Sequence, residues 1–289
     1  MKEINFTYGR FKIEEVVVLN LAHRFDKKWA MIGALLAVGC PLDRIRLWNA
    51  APGNAFEDID PLLDYVVADG FPWFETFAKK RYSDLKRPET LIREIKILAQ
   101  AWSYCQMLRH LSENNINGII LYDDRYILDF EQLSAILYWL RDFSDKDEGL
   151  PFRMLQCDSY ENVSQHLGWT PKLHSKLPYI LEGPAGGSEN AIFYTPEGAK
   201  FFLDYLKKSL STKEFNFACP SWNEPGNIEG ALSAMSHLPA SERLGVWTAY
   251  NCQLVHHVQG FGSDIGVGEP QYENKVGSII KTGGWEEYK

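Results

Sequence analysis

The chain has 289 residues, of which 45% are hydrophobic, which excludes a disordered polypeptide and gives one α/β domain enough material for a sizeable core. Lys and Arg number 30 against 38 Asp and Glu, a net charge of -8 that argues against nucleic acid as the main partner. In chain order, the β-branched run Val16 to Leu21 predicts a strand buried on both faces. Lys27 to Val38 follows as a helix stopped by Gly39, and Arg44 to Trp48 as a second strand. This strand–helix–strand opening points to a nucleotide-binding α/β fold with a mainly parallel central sheet flanked by helices. Residues 51–88 read as loops with short helices, and Pro88 to His110 as a helix. After a turn at Asn114 to Gly118, Ile119 to Tyr122 reads as a buried strand running straight into Asp123 and Asp124. A helix is expected from about Phe130 to Phe143, with Trp139 and Phe143 on its core face, and a strand over Phe152 to Cys157. Residues 158–190 read as a polar connection; its Gly183 to Gly187 segment lacks the strand–loop–helix context of a phosphate cradle and reads as a mobile lid or a plain turn. Ala191 to Tyr194 is a strand, and Thr195 caps a helix that opens on Pro196 and reaches about Lys208. The last third, from about residue 209, reads as loop-rich with one helix over Asn227 to Met235. No internal repeat or low-complexity linker appears, so a single domain over 1–289 is expected.

The five cysteines are widely spaced and include no CxxC pair, so they read as reduced, mostly buried thiols rather than a zinc site. The opening MKEINFTYGRFKIEE is polar, and no run approaches the roughly 20 apolar residues of a membrane span. A cytoplasmic protein is the expectation.

The strongest chemical signal is Ile119 to Ile127, IILYDDRYI. Two adjacent carboxylates at the carboxyl end of a buried strand are costly as bare charges, and a hard divalent cation, manganese or magnesium, would relieve that cost. A cation there would also hold a diphosphate and stabilise a leaving group. The plainer alternative is a turn with solvated acids.

Four segments in order resemble glycosyltransferase family 25, the lipooligosaccharide-type galactosyltransferases with the GT-A fold. They are Val17 to Leu21 followed by Arg24, Asp26, Lys27, Lys28 and Trp29; Leu121 to Asp124; Ala191 to Leu203, AIFYTPEGAKFFL; and Val255 to Ile265, VHHVQGFGSDI. Together they span about residues 16–265. The resemblance implies a GT-A-like domain moving a sugar from a nucleotide diphosphate-sugar, a UDP-sugar first among them, to a hydroxyl of a glycan, lipid-linked or protein-linked acceptor. It implies a cation on Asp124 and Asp123, with His256 or His257 completing its shell, and donor contacts from Asn20, Asp123, Ser103, Ser263 and Asp264, the last bracing its loop or touching the donor; Arg24 and Lys28 read by their charge as partners of the diphosphate. Arg109 shares the helix of Ser103 as a weaker candidate, and Glu229 or Glu224, in WNEPGNIEGAL, would be the general base. The chain departs from the family at Tyr122, which stands where Glu is usual, and at Lys27-Lys28, which replace an Arg. Two alternatives stay open: a catalytically inactive nucleotide-sugar or glycan binder of the same fold, and sugar transfer onto a modified nucleic acid base. A doubly wound methyltransferase is disfavoured, because no Gly-rich turn follows Leu21.

Overall fold

The computed structural model of the chain describes residues 7–8, 11–75, 78, 88–123, 125–127, 152–157, 172–174, 177–183, 191–211, 228–236, 238–249 and 255–257. A small hairpin of β1 (Thr7–Tyr8) and β2 (Phe11–Lys12) precedes β3 (Glu15–Asn20). Val16, Val17 and Val18 of β3 are fully buried, as a run apolar on both sides of the strand requires. Helix α1 (Phe25–Ala37) crosses over to β4 (Ile45–Asn49), which pairs parallel with β3. Gly39 lies past the end of α1 with φ 85, the left-handed conformation that ends helices. Helices α2 (Ile59–Ala68) and α3 (Pro88–Glu113) then lead to β5 (Gly118–Tyr122), which pairs parallel with β3 on its other side.

The remaining described elements are β6 (Arg125–Ile127), β7 (Met154–Gln156), β8 (Lys172–His174), β9 (Leu177–Glu182), β10 (Ala191–Tyr194), α4 (Pro196–Ser211), α5 (Ile228–Ser236), β11 (Val246–Ala249) and β12 (Val255–His257). Eight strands form one sheet in the order β4-β3-β5-β10-β7-β11-β9-β8, and β6 and β12 form a separate antiparallel ladder. The fold is α/β, but its sheet is mixed. Three neighbouring pairs are parallel (β3/β4, β3/β5, β7/β11) and four are antiparallel, because β10 and β9 run against the other six strands. The polar connection expected over 158–190 contains β8 and β9, and the loop-rich last third contributes β11 to the sheet.

Side-chain alternation along the strands separates two cores. Val17, Leu19, Ile120 and Tyr122 face α2, α3, α4 and α5. Val16, Val18, Ile119 and Leu121 face α1 through Met31 and Leu35. Phe152 joins this second core against Phe193 and Trp247. The helix expected near Phe130 to Phe143, with Trp139, lies outside the described residues. Cys40, Cys105 and Cys157 are buried free thiols, and burial pushes the Cys40 thiol up to about 12. Among the described residues no helix is long and apolar enough to cross a membrane.

Candidate functional site

The chain leaves β3 in one direction to form β4 and returns to form β5 on the opposite side. The carboxyl ends of β3 and β5 therefore flank a topological switch point, the place where open α/β sheets bind ligands. Asn20 ends β3, and Asp123 follows β5. Alternation puts both on the α1 face of the sheet, in step with Val18 and Leu121. Asn20 Nδ2 donates to Asp123 Oδ2 at 2.7 Å and to the Arg24 carbonyl at 3.2 Å, so the amide ties both strand ends to the start of α1. The Asp123 main-chain N–H donates to the Leu19 carbonyl at 3.1 Å.

A third side chain completes this arrangement, and sequence reasoning gave it no role. Lys27, 1% exposed, brings Nζ to 4.0 Å from Asp123 Oδ1. Helical spacing was the signal that would have found it. Lys27, Met31 and Leu35 lie four residues apart, so the first-turn lysine shares the buried stripe of α1. The neighbouring Lys28, the predicted diphosphate contact, is only half-buried and holds its Nζ 5.3 Å from the Trp29 ring centroid. Arg24 pairs in bidentate fashion with Asp26, at 2.9 and 2.7 Å. Burial would raise the Asp26 pKa, but the Arg24 hydrogen bond and charge outweigh it and hold the carboxyl below its usual range.

Ser103 is fully buried on α3. Its hydroxyl accepts from the Ala51 N–H at 2.9 Å and donates to the Ala99 carbonyl at 2.8 Å, bracing the loop that leaves β4. Gly53 in the same loop lies so close to α3 that an added Cβ would stand 2.6 Å from the Lys96 Cα. Arg109 bonds the Asp69 carboxylate at 2.6 Å and stacks over Phe71, so it joins α2 to α3. Tyr122 turns to the opposite face from Asp123, where its ring stacks on Tyr104 with centroids 6.2 Å apart. At that position the chain has a core residue.

Asp124, Glu224, Ser263 and Asp264 lie outside the described residues. Glu229 is the second residue of α5, whose Ile228, Ala231, Leu232 and Met235 pack into the core on the side away from α1. The β6/β12 ladder places His256 opposite Tyr126 and His257 opposite Arg125. Two stretches separated by about half the sequence, one beginning just after Asp124 and one ending on the histidines, are thus brought side by side. Among the described residues no three acidic, His or Cys side chains gather as a metal site. Asp123 fits a cation poorly, because a second positive charge there would lie beside the buried Lys27 ammonium.

No family model matches the chain, and no curated protein is significantly similar to it.

Proposed function

We propose that the chain is a glycosyltransferase that binds a nucleotide diphosphate-sugar across the carboxyl ends of β3 and β5 and transfers the sugar to an acceptor hydroxyl. The observation that carries this reading is the meeting of Asn20, Asp123 and Lys27 at the switch point, where a ligand-binding α/β sheet is open. The β6/β12 ladder supports it, since it sets the histidine segment beside the segment that follows the acidic pair. The four-segment resemblance to the lipooligosaccharide-type galactosyltransferases supplies the substrate class: a UDP-sugar or related donor, and a glycan, lipid-linked or protein-linked acceptor.

On this reading the strand-end network holds the rim on which the donor diphosphate lies. Lys28, in the first turn of α1, offers positive charge at that rim, and Arg24, at the N-cap of the helix, would reach the diphosphate beside its pair with Asp26. Glu229 or Glu224 takes the proton of the acceptor hydroxyl as the bond to the sugar carbon forms and the bond to the diphosphate breaks. A divalent cation, when bound, would stabilise the charge left on the diphosphate, with Asp124, His256 and His257 as its candidate ligands.

The test incubates the protein with a panel of nucleotide-sugars, with and without manganese, and measures released nucleoside diphosphate beside an Asp124→Ala variant. Turnover of one donor, lost in the variant, is the expected result. A donor that raises the melting temperature without being consumed identifies a binding protein of this fold. If every donor stays intact and none raises the melting temperature, the reading is wrong.

A further inference from the structure

An acidic pair at a strand end invites the assignment of both carboxylates to one cation, and the surroundings of Asp123 speak against it. Its Oδ2 accepts from Asn20 at 2.7 Å, its Oδ1 faces the Lys27 ammonium at 4.0 Å, and its main-chain N–H is held by Leu19. Lys27 is among the largest fully buried side chains of the described residues. An ammonium at that depth has lost its hydration, and a neighbouring carboxylate offsets that cost with opposite charge. Asp26 also feels the Lys27 charge, but its carboxylate is occupied by the bidentate Arg24 guanidinium. A divalent ion on Asp123 Oδ1 would stand against the buried Lys27 ammonium, and one sharing Oδ2 with the Asn20 amide would still lie within a few ångströms of it; like charges at such range repel strongly away from water.

We infer that Lys27 is the permanent counter-ion of Asp123, and that Asp123 is not a ligand of any exchangeable metal. The pair fastens the first turn of α1 to the end of β5, and Asn20 adds the end of β3. This inference concerns the same site as the proposed function but does not need a sugar donor to be correct.

The experiment is a double-mutant cycle with Lys27→Met, Asp123→Asn and the double variant, read by thermal unfolding, together with manganese titration of the wild type and Asp123→Asn followed by electron paramagnetic resonance. Each single variant removes the opposite charge from a buried ionised group, so each should lower Tm by about 10 °C, and the double variant should recover at least half of that loss. Manganese affinity should agree within about threefold between wild type and Asp123→Asn, whether strong or undetectable, as expected if Asp123 contributes no metal bond. Should a single variant fail to fold, recovery of a folded double variant supports the pair, and lysine acetylation of the native wild type, mapped by mass spectrometry, should modify Lys28 and spare Lys27. Additive losses of Tm, ready acetylation of Lys27, or a tenfold fall in manganese affinity in Asp123→Asn would overturn the inference. A wild type that binds no manganese but shows the coupled Tm pattern leaves the ion pair standing and removes the cation from the proposed reaction.

Discussion

Gly198 shows how one residue without a side chain fixes the seat of a helix. An added Cβ would stand 1.7 Å from the Arg153 carbonyl oxygen, a collision with main chain that no rotamer change relieves. The approach is close because Thr195 holds the same carbonyl twice, through its N–H at 2.9 Å and its hydroxyl at 3.2 Å. The Thr195 oxygen also caps α4 by accepting the Gly198 N–H at 3.0 Å. Gly198→Ala must push α4 away from the start of β7, and a loss of about 3 kcal/mol in urea unfolding is expected. An unchanged unfolding midpoint would show that α4 does not sit so tightly. The Thr-Pro helix start was legible in the sequence because capping is a local signal, decided by neighbouring residues. The approach of Arg153 to Gly198 spans 45 positions and leaves no local trace. Lys27 stands between these cases: the fourfold spacing to Met31 and Leu35 was there to read, but a charged residue in a first helical turn is ordinarily solvated, and Lys28 drew the assignment.

At the scale of elements, α3 organises the rim of the site from beneath. Its Ser103 receives the Ala51 N–H, and the Ala50 N–H donates to the Asn20 carbonyl at 2.8 Å, so the loop after β4 is fastened to both α3 and β3. Ser103→Ala leaves the Ala51 N–H without that acceptor. The expected cost is about 1–2 kcal/mol in denaturant unfolding, with faster hydrogen exchange at Ala51 than at Ile120 in the centre of β5. Unchanged exchange at Ala51 would show that the loop is held by other means. The strands β3, β5 and β10 were legible because their buried apolar runs carry a long signal for their length. Helix α2 was not read as a distinct element, although Asp58 caps it with an acceptor for Ile59 N–H and Ile59, Leu62, Leu63 and Val66 form its apolar stripe. The surrounding Pro, Gly and aromatic residues masked that periodicity. Strand β8 escaped because it has three residues, and β9 because Pro178 stands inside it, where proline argues against a paired strand.

For the whole molecule, acid should be a sharper stress than the net charge suggests. Three described carboxylates titrate below their usual range, and two of them bridge elements distant in sequence. Burial would raise Glu15, but hydrogen bonds from Arg46 and His110 and their charges outweigh it, tying β3 to β4 and to α3. Burial would likewise raise Asp69, which instead is held down by Arg109, Gln106 and Trp102, three α3 side chains gripping the end of α2. Among the described residues Asp26 pairs with Arg24, two positions away, and it is more exposed, so water screens its contribution. A carboxylate with a lowered folded-state pKa contributes its full stability above the unfolded value, near 4, and loses it as pH falls through the folded value. Unfolding free energy should therefore hold steady from pH 7 toward pH 5 as far as these groups decide it, then decline steeply below about pH 4. Asp69→Asn separates this effect from general charge repulsion. It should cost about 2 kcal/mol at pH 7, since three donors lose an ionised acceptor, and the gap from the wild type should close as the pH drops and Asp69 itself becomes protonated. A gap that stays constant from pH 7 to pH 3 would mean that the Asp69 charge does not hold α2 to α3, and that the packing of Phe71 under Arg109 carries that junction instead.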